Sequence, residues 1–273
     1  MNKTFKKVFA KAKSENRACF VAFVTGMDPD YESSKEILIE LSKYCDCIEI
    51  GVSFNTSTSD SSIIMSANDR AINSGAKTEK IFQLIKEVKS EITNVTAFVT
   101  MGYLNQIHVY GIDRYIKDCK KNGVDGCIVV DSNNDCPEDE QIYKGLNKND
   151  IAYIKLIAPT NDDKYIKQSL KKCSSWIYVV SYAGVTGTKD VNIVNVKKLV
   201  KMIRKQSKIP IGVGFGIKTV NDVKSVSKLA DLTVCGSSIV NKINEGHQNG
   251  LSNKNLGKFV GDYVKSLSQG VKS

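Results

Sequence analysis

Residues 209–240 read "IPIGVGFGIKTVNDVKSVSKLADLTVCGSSIV". An apolar run, 209–214, ends on glycines. A polar stretch follows. A second apolar run, 231–236, ends on Gly236, where a short helix opens. Both runs are near-continuously apolar rather than alternating, as in strands buried on both faces. The same pattern recurs from end to end. The other runs are "CFVAFVT" (19–25), "CIEIGV" (47–52), "VTAFVT" (95–100), "GCIVV" (126–130), "AYIKLIA" (152–158) and "WIYVVSY" (176–182). Successive runs start ~20–35 residues apart, the length of a βα unit.

The segments between the runs carry helical spacing. Ile81, Leu84, Ile85 and Val88 fall at i, i+3, i+4 and i+7, as do Val196, Leu199, Val200 and Ile203. Val260, Tyr263, Val264 and Leu267 repeat it near the C-terminus. Asp28-Pro29 offers a cap and a first-turn proline to the helix after the first run, and Thr78 can cap the helix holding Ile81. "SANDRAINSG" (66–75) predicts an extra helix after the second strand. The basic start "MNKTFKKVFAKAKSENRACF" predicts an amphipathic helix with Phe5, Val8 and Phe9 on one side. Glu15 and the direct run into the first strand oppose a transit peptide.

Eight such units in 273 residues are the arithmetic of one α/β domain, 1–273. It is predicted to be a single (β/α)8 TIM barrel with an extra N-terminal helix and short inserted helices. An open doubly wound sheet would place G-x-G-x-x-G after its first strand, and "VTGMDPD" (24–30) is not that turn. No apolar run approaches the ~20 residues needed to span a bilayer, so a cytoplasmic protein is expected.

The net charge of +10 invites a nucleic-acid reading. Arginine, whose rigid fork suits phosphate, appears only at Arg17, Arg70, Arg114 and Arg204. The lysines spread over helix faces, so solvated surface is the better account. The eight cysteines mostly sit in apolar runs, as buried thiols do. Cys45 and Cys47 flank Asp46 and are expected to point the same way, but no second pair completes a zinc site. His108 and His247 lack ligand spacing, and no metal site is expected.

A barrel carries its chemistry on the loops after its strands. Three such ends are glycine-rich: "YAGVTGTKD" (182–190), "GVGFGIKT" (212–219) and "CGSSIV" (235–240). Glycine lets backbone N–H groups approach an anion, and a helix N-terminus adds partial positive charge. Together they predict a phosphate site. Glu49 lies in the apolar run "CIEIGV", and a carboxylate there needs either a partner or a chemical task. In a low dielectric its pKa would rise, suiting acid–base work. Asp60 reads as a loop acid or a cap for "SSIIMSAN". No Ser/His/Asp or Cys/His set supports covalent catalysis, and Lys155 alone keeps a Schiff-base reading open.

These motifs resemble the tryptophan synthase alpha chain family nearly end to end. The matching stretches include "IEIGVSF" (48–54), "ANDRAINSG" (67–75), "YLNQIHVYGIDRY" (103–115), "LIAPT" (156–160), "YAGVTGTKD" (182–190), "PIGVGFGIKT" (210–219) and "CGSSIV" (235–240). The resemblance implies a (β/α)8 barrel that cleaves indole-3-glycerol phosphate to indole and glyceraldehyde 3-phosphate in tryptophan biosynthesis. It implies Glu49 as general acid–base and Asp60 as the group engaging the indole nitrogen, with Thr186 positioning Asp60. Gly187, Phe215, Gly216, Gly236 and Ser237 would surround the phosphate. Phe23, Ile64, Tyr103 and Tyr178 would line the pocket. It implies no cofactor in this chain, and a β subunit holding pyridoxal phosphate, paired with it in a heterotetramer.

The sequence departs from the family after its second strand. "FNTSTSDSS" (54–62) keeps Phe54 and Asp60, but Thr56 and Ser57 replace an acid and a proline, and Ser61-Ser62 replace Gly-Pro. Loss of proline enlarges the open ensemble of a loop. Weaker coupling to a β subunit is therefore expected. The alternatives are an impaired relative that binds phosphate ligands as a regulatory partner, and another phosphate-handling barrel enzyme.

Overall fold

A computed structural model describes residues 1–55, 60–180, 193–214 and 216–272. Thr56, Ser57, Thr186, Gly187 and Phe215 lie outside the described residues.

The strands are β1 (Cys19–Thr25), β2 (Cys47–Gly51), β3 (Ala97–Gly102), β4 (Gly126–Val129), β5 (Ala152–Ile154), β6 (Leu156–Ile157), β7 (Ile177–Val180), β8 (Ile211–Gly214) and β9 (Leu232–Cys235). All nine pair in parallel, in the order β5-β4-β3-β2-β1-β9-β8-β7-β6. Only Lys155 separates β5 from β6. The two ends of the sheet are thus one interrupted strand, and chain continuity closes the barrel. The apolar run 152–158 is this split strand, so the expected fold stands.

Alternation along each strand sorts its side chains. Cys19, Val21, Cys47, Val99, Ile128, Ile154, Trp176 and Val234 share the inner core. Phe20, Ile48, Ile50 and Val213 join the outer core beneath the helices. Glu49, two residues past Cys47 on β2, takes the inward side. Gly212 and Gly214 serve this packing. A Cβ on Gly212 would meet the Trp176 ring, and one on Gly214 would overlap the Tyr178 hydroxyl.

Helix α1 (Lys3–Ser14) is capped by Asn2, whose side chain accepts from Thr4 N at 2.9 Å. Its Phe5, Val8 and Ala12 join the inner core beside the strand starts Cys19, Cys47 and Ala97. Thr4 Oγ1 donates to Asp125 at 2.6 Å, just before β4. The expected N-terminal helix therefore corks the barrel floor.

The periodic segments form α4 (Thr78–Glu91), α9 (Ile193–Gln206) and α12 (Asn253–Ser268). Ile81, Leu84, Ile85, Val88, Val196, Leu199, Val200 and Ile203 are all buried. The remaining helices are α2 (Tyr31–Ser42), α3 (Ser62–Asn73), α5 (Leu104–Tyr110), α6 (Ile112–Lys121), α7 (Pro137–Lys148), α8 (Asp163–Lys172), α10 (Val220–Ser227) and α11 (Ser237–Gln248). The extra helix exists as α3 and begins four residues earlier than its motif.

Several local expectations are corrected. Helix α2 is capped by Asp30, whose side chain accepts from Ser33 N at 2.8 Å. Asp28 is instead buried and takes Arg70 in a two-point ion pair at 2.8 and 2.9 Å. Lys77 holds the cap position of α4, and Thr78 is its first residue. Cys45 and Cys47 diverge: Cys47 faces the inner core and Cys45, ahead of β2, the outer.

Lys155 points outward, between barrel and helices. Its ammonium donates to Asp139 Oδ1 at 2.7 Å and to Ser132 O at 3.3 Å. Lys172 holds the other Asp139 oxygen at 2.7 Å, and Ser132 and Tyr153 hydroxyls each donate at 2.6 Å. A lysine engaged in this way faces no ligand, which overturns the Schiff-base reading.

Candidate active site

One pocket opens at the C-terminal end of the strands, about 570 Å³ including its mouth. Four strands each deliver an inward residue there: Phe23 from β1, Glu49 from β2, Met101 from β3 and Tyr178 from β7. Helix α3 adds Asp60 and Ile64 from its leading edge. Gly216, Ile217 and Lys218 follow β8, and Gly236, Ser237 and Ser238 follow β9.

Glu49 is fully buried, in register with Phe23 on β1 and Val99 on β3. Neither carboxyl oxygen has a hydrogen-bond partner among the described residues. Burial disfavours the charged form and raises the Glu49 pKa to about 8. The group therefore holds a proton at neutral pH. Burial, and next the neighbouring Glu49, push the Tyr178 phenol far up.

Asp60 stands at the mouth. Its Oδ2 accepts from Asn68 Nδ2 at 3.3 Å, and Asn68 is buried on α3. Ser61 caps the helix by accepting from Ile64 N at 3.4 Å. This one turn fixes both Asp60 and Ile64. Ile64 packs with Phe23, Ala67 and Val240 as an apolar wall.

The start of α11, a helix of 12 residues with no side-chain cap at Gly236, lines the same pocket. Its first N–H groups have no helical acceptor and carry the positive end of the helix dipole. Gly216 adopts a φ of 74°, which favours glycine, and carries the chain across the pocket edge. Ser238 Oγ donates to Ile217 O at 3.2 Å and ties the two loops together.

Nine of the twelve residues expected at the site are described. Of these, Glu49, Asp60, Phe23, Ile64, Tyr178, Gly216, Gly236 and Ser237 converge on the pocket. Tyr103 does not line it. Its ring packs on Phe54, centroids 5.2 Å apart, and the residue holds the N-cap position of α5, its N–H donating to Gln106 Oε1 at 3.1 Å. Met101 occupies the wall instead, as strand alternation from Val99 allows. Ile217, Lys218 and Ser238 were also missed. Nothing separates Lys218 from any surface lysine without the turn at Gly216.

The arrangement offers an anion end, an apolar slot and two acids of different character. Among the described residues no group of three or more His, Cys, Asp or Glu could hold a metal ion.

The family model of the tryptophan synthase alpha chain matches residues 9–266. A tryptophan synthase alpha chain from Methanocaldococcus jannaschii is 38% identical over 239 residues, which is 88% of this chain and 84% of that one. The structure of tryptophan synthase subunit alpha from Legionella pneumophila has a TM-score of 0.88 at 25% identity, covering 99% of this chain and 98% of its own. Tryptophan synthase of Mycobacterium tuberculosis shares the fold, with a TM-score of 0.88 over all of both chains at 23% identity. The barrel, its pocket and a match spanning nearly all its length lead to one conclusion: this chain belongs to the tryptophan synthase alpha chain family.

Proposed function

We propose that this chain cleaves indole-3-glycerol phosphate to indole and glyceraldehyde 3-phosphate, with Glu49 as proton carrier and Asp60 as acceptor of the indole N–H. The buried Glu49, without a hydrogen-bond partner among the described residues and with its pKa raised to about 8 by burial, carries this reading. The Glu49 carboxyl first gives its proton to indole C3. The carboxylate then takes the proton of the glyceryl hydroxyl next to the ring. The hydroxyl oxygen forms the aldehyde carbonyl, the carbon–carbon bond breaks, and its electron pair returns to the ring as indole leaves. Glu49 ends protonated again. Asp60 stabilises the positive charge that C3 protonation places near N1. The N–H groups of α11 and Gly216 take the phosphate, with Gly187 and Phe215 assigned there by motif and Thr186 assigned to position Asp60. The apolar wall of Phe23, Ile64 and Tyr178 holds the ring.

The sequence supports a cytoplasmic α subunit in a heterotetramer, with pyridoxal phosphate in the β partner and none in this chain. The rewritten 54–62 loop supports weaker coupling than in relatives that keep the proline. Indole release from indole-3-glycerol phosphate, alone and with a β subunit, tests the proposal. Glu49→Gln should lose roughly 100- to 10,000-fold in kcat, the usual worth of general acid–base catalysis. Wild type releasing no more than Glu49→Gln in both conditions would overturn it.

A further inference from the structure

We infer that Lys218 is the charge that sets phosphate affinity in this pocket, a role resting on the reading above. Among the described lining residues it is the one cation, beside the acidic side chains Glu49 and Asp60. A phosphate monoester carries ≈ −1.5 to −2 charge at pH 7. The backbone N–H groups of α11 supply geometry and partial charge, but no full positive charge.

The position of Lys218 is built. Its N–H donates to Asp222 Oδ2 at 3.0 Å, part of the cap that starts α10. Its carbonyl accepts from the Tyr263 hydroxyl at 3.1 Å. The residue before it, Ile217, is tied to α11 through Ser238. The Cα of Lys218 is thus held on both sides where the α11 N-terminus faces the pocket. Its ammonium makes no ion pair or hydrogen bond among the described residues, whereas Lys155, Lys172 and Lys242 are all engaged with carboxylates. A lysine is a mobile point charge rather than a two-point fork, so it adds attraction without dictating orientation. Its side chain is exposed, so salt screens the attraction.

The phosphate does not react. A contact there binds ground state and transition state alike, which moves KM and leaves kcat. The experiment measures kcat and KM for wild type, Lys218→Ala, Lys218→Gln and Lys218→Arg at low and high salt. It also measures direct binding of inorganic phosphate by calorimetry. Both neutral variants should raise KM about three- to tenfold at low salt, converge on wild type at high salt, and weaken phosphate binding in step. Lys218→Arg should stay near wild type. An unchanged KM and phosphate affinity in the neutral variants, or a fall in kcat alone, overturns the inference. If wild type releases no indole, the lyase reading fails by itself, and the phosphate titration still decides the role of Lys218.

Discussion

Glu49 is the residue whose chemistry is most unlike its water-exposed form. Burial alone raises its pKa from 4.5 to about 8. The folded state therefore holds a proton that the unfolded chain releases above pH 4.5. The sign follows: stability falls as pH rises from about 4.5 to about 8, by up to ~5 kcal/mol for this group, then levels. Glu49→Gln removes that slope. Thermal melts at pH 6 and pH 9 should show the variant gaining on wild type at the higher pH while its cleavage is lost. Turnover of the wild type should fall above about pH 8, as the starting acid loses its proton. Asn68 acts on Asp60 through their hydrogen bond. Asn68→Ala should lower kcat/KM about two- to tenfold, the net worth of one ordinary hydrogen bond, with little change in the pH profile set by Glu49.

Among the elements, α3 matters most, because its first turn aligns Asp60 and Ile64. Ser61→Ala should cost about 0.5–1 kcal/mol in a denaturant titration. It should also reduce turnover more than Asp30→Ala, which removes the cap of α2 at a similar cost but touches no pocket residue. The strands were legible because the runs are apolar throughout, and Glu49 because a carboxylate interrupts one of them. The cap of α2 was misplaced by two residues, since Asp28 and Asp30 are equivalent in sequence. Only the ion pair with Arg70, forty-two positions away, tells them apart. Met101 and Tyr103 have the same parity, so alternation alone does not choose between them; Tyr103 lies one residue past β3, where its ring packs on Phe54. Lys218 needed the glycine turn at Gly216 and the anchor from Tyr263 before it could be distinguished.

At the scale of the whole molecule, the barrel is joined at Lys155. Burial pushes the Asp139 carboxyl up, but Lys155, Lys172, Ser132 and Tyr153 outweigh it and lower the pKa from 3.8 to about 2. Its stabilisation is complete above pH 3.8 and is lost as pH falls toward 2. Asp139→Asn leaves the Lys155 charge buried without its counter-ion and should cost roughly 3–5 kcal/mol. Urea unfolding at pH 7 should show that loss, and an acid titration should show a shallower transition below pH 4. The other end of the molecule has a different consequence. With Phe5 and Val8 buried among the inward side chains at the floor, the barrel axis is filled there among the described residues. Substrate and both products share one doorway at the upper rim, so whatever covers that rim governs arrival and departure together, and a tightly seated lid would make product escape the slow step.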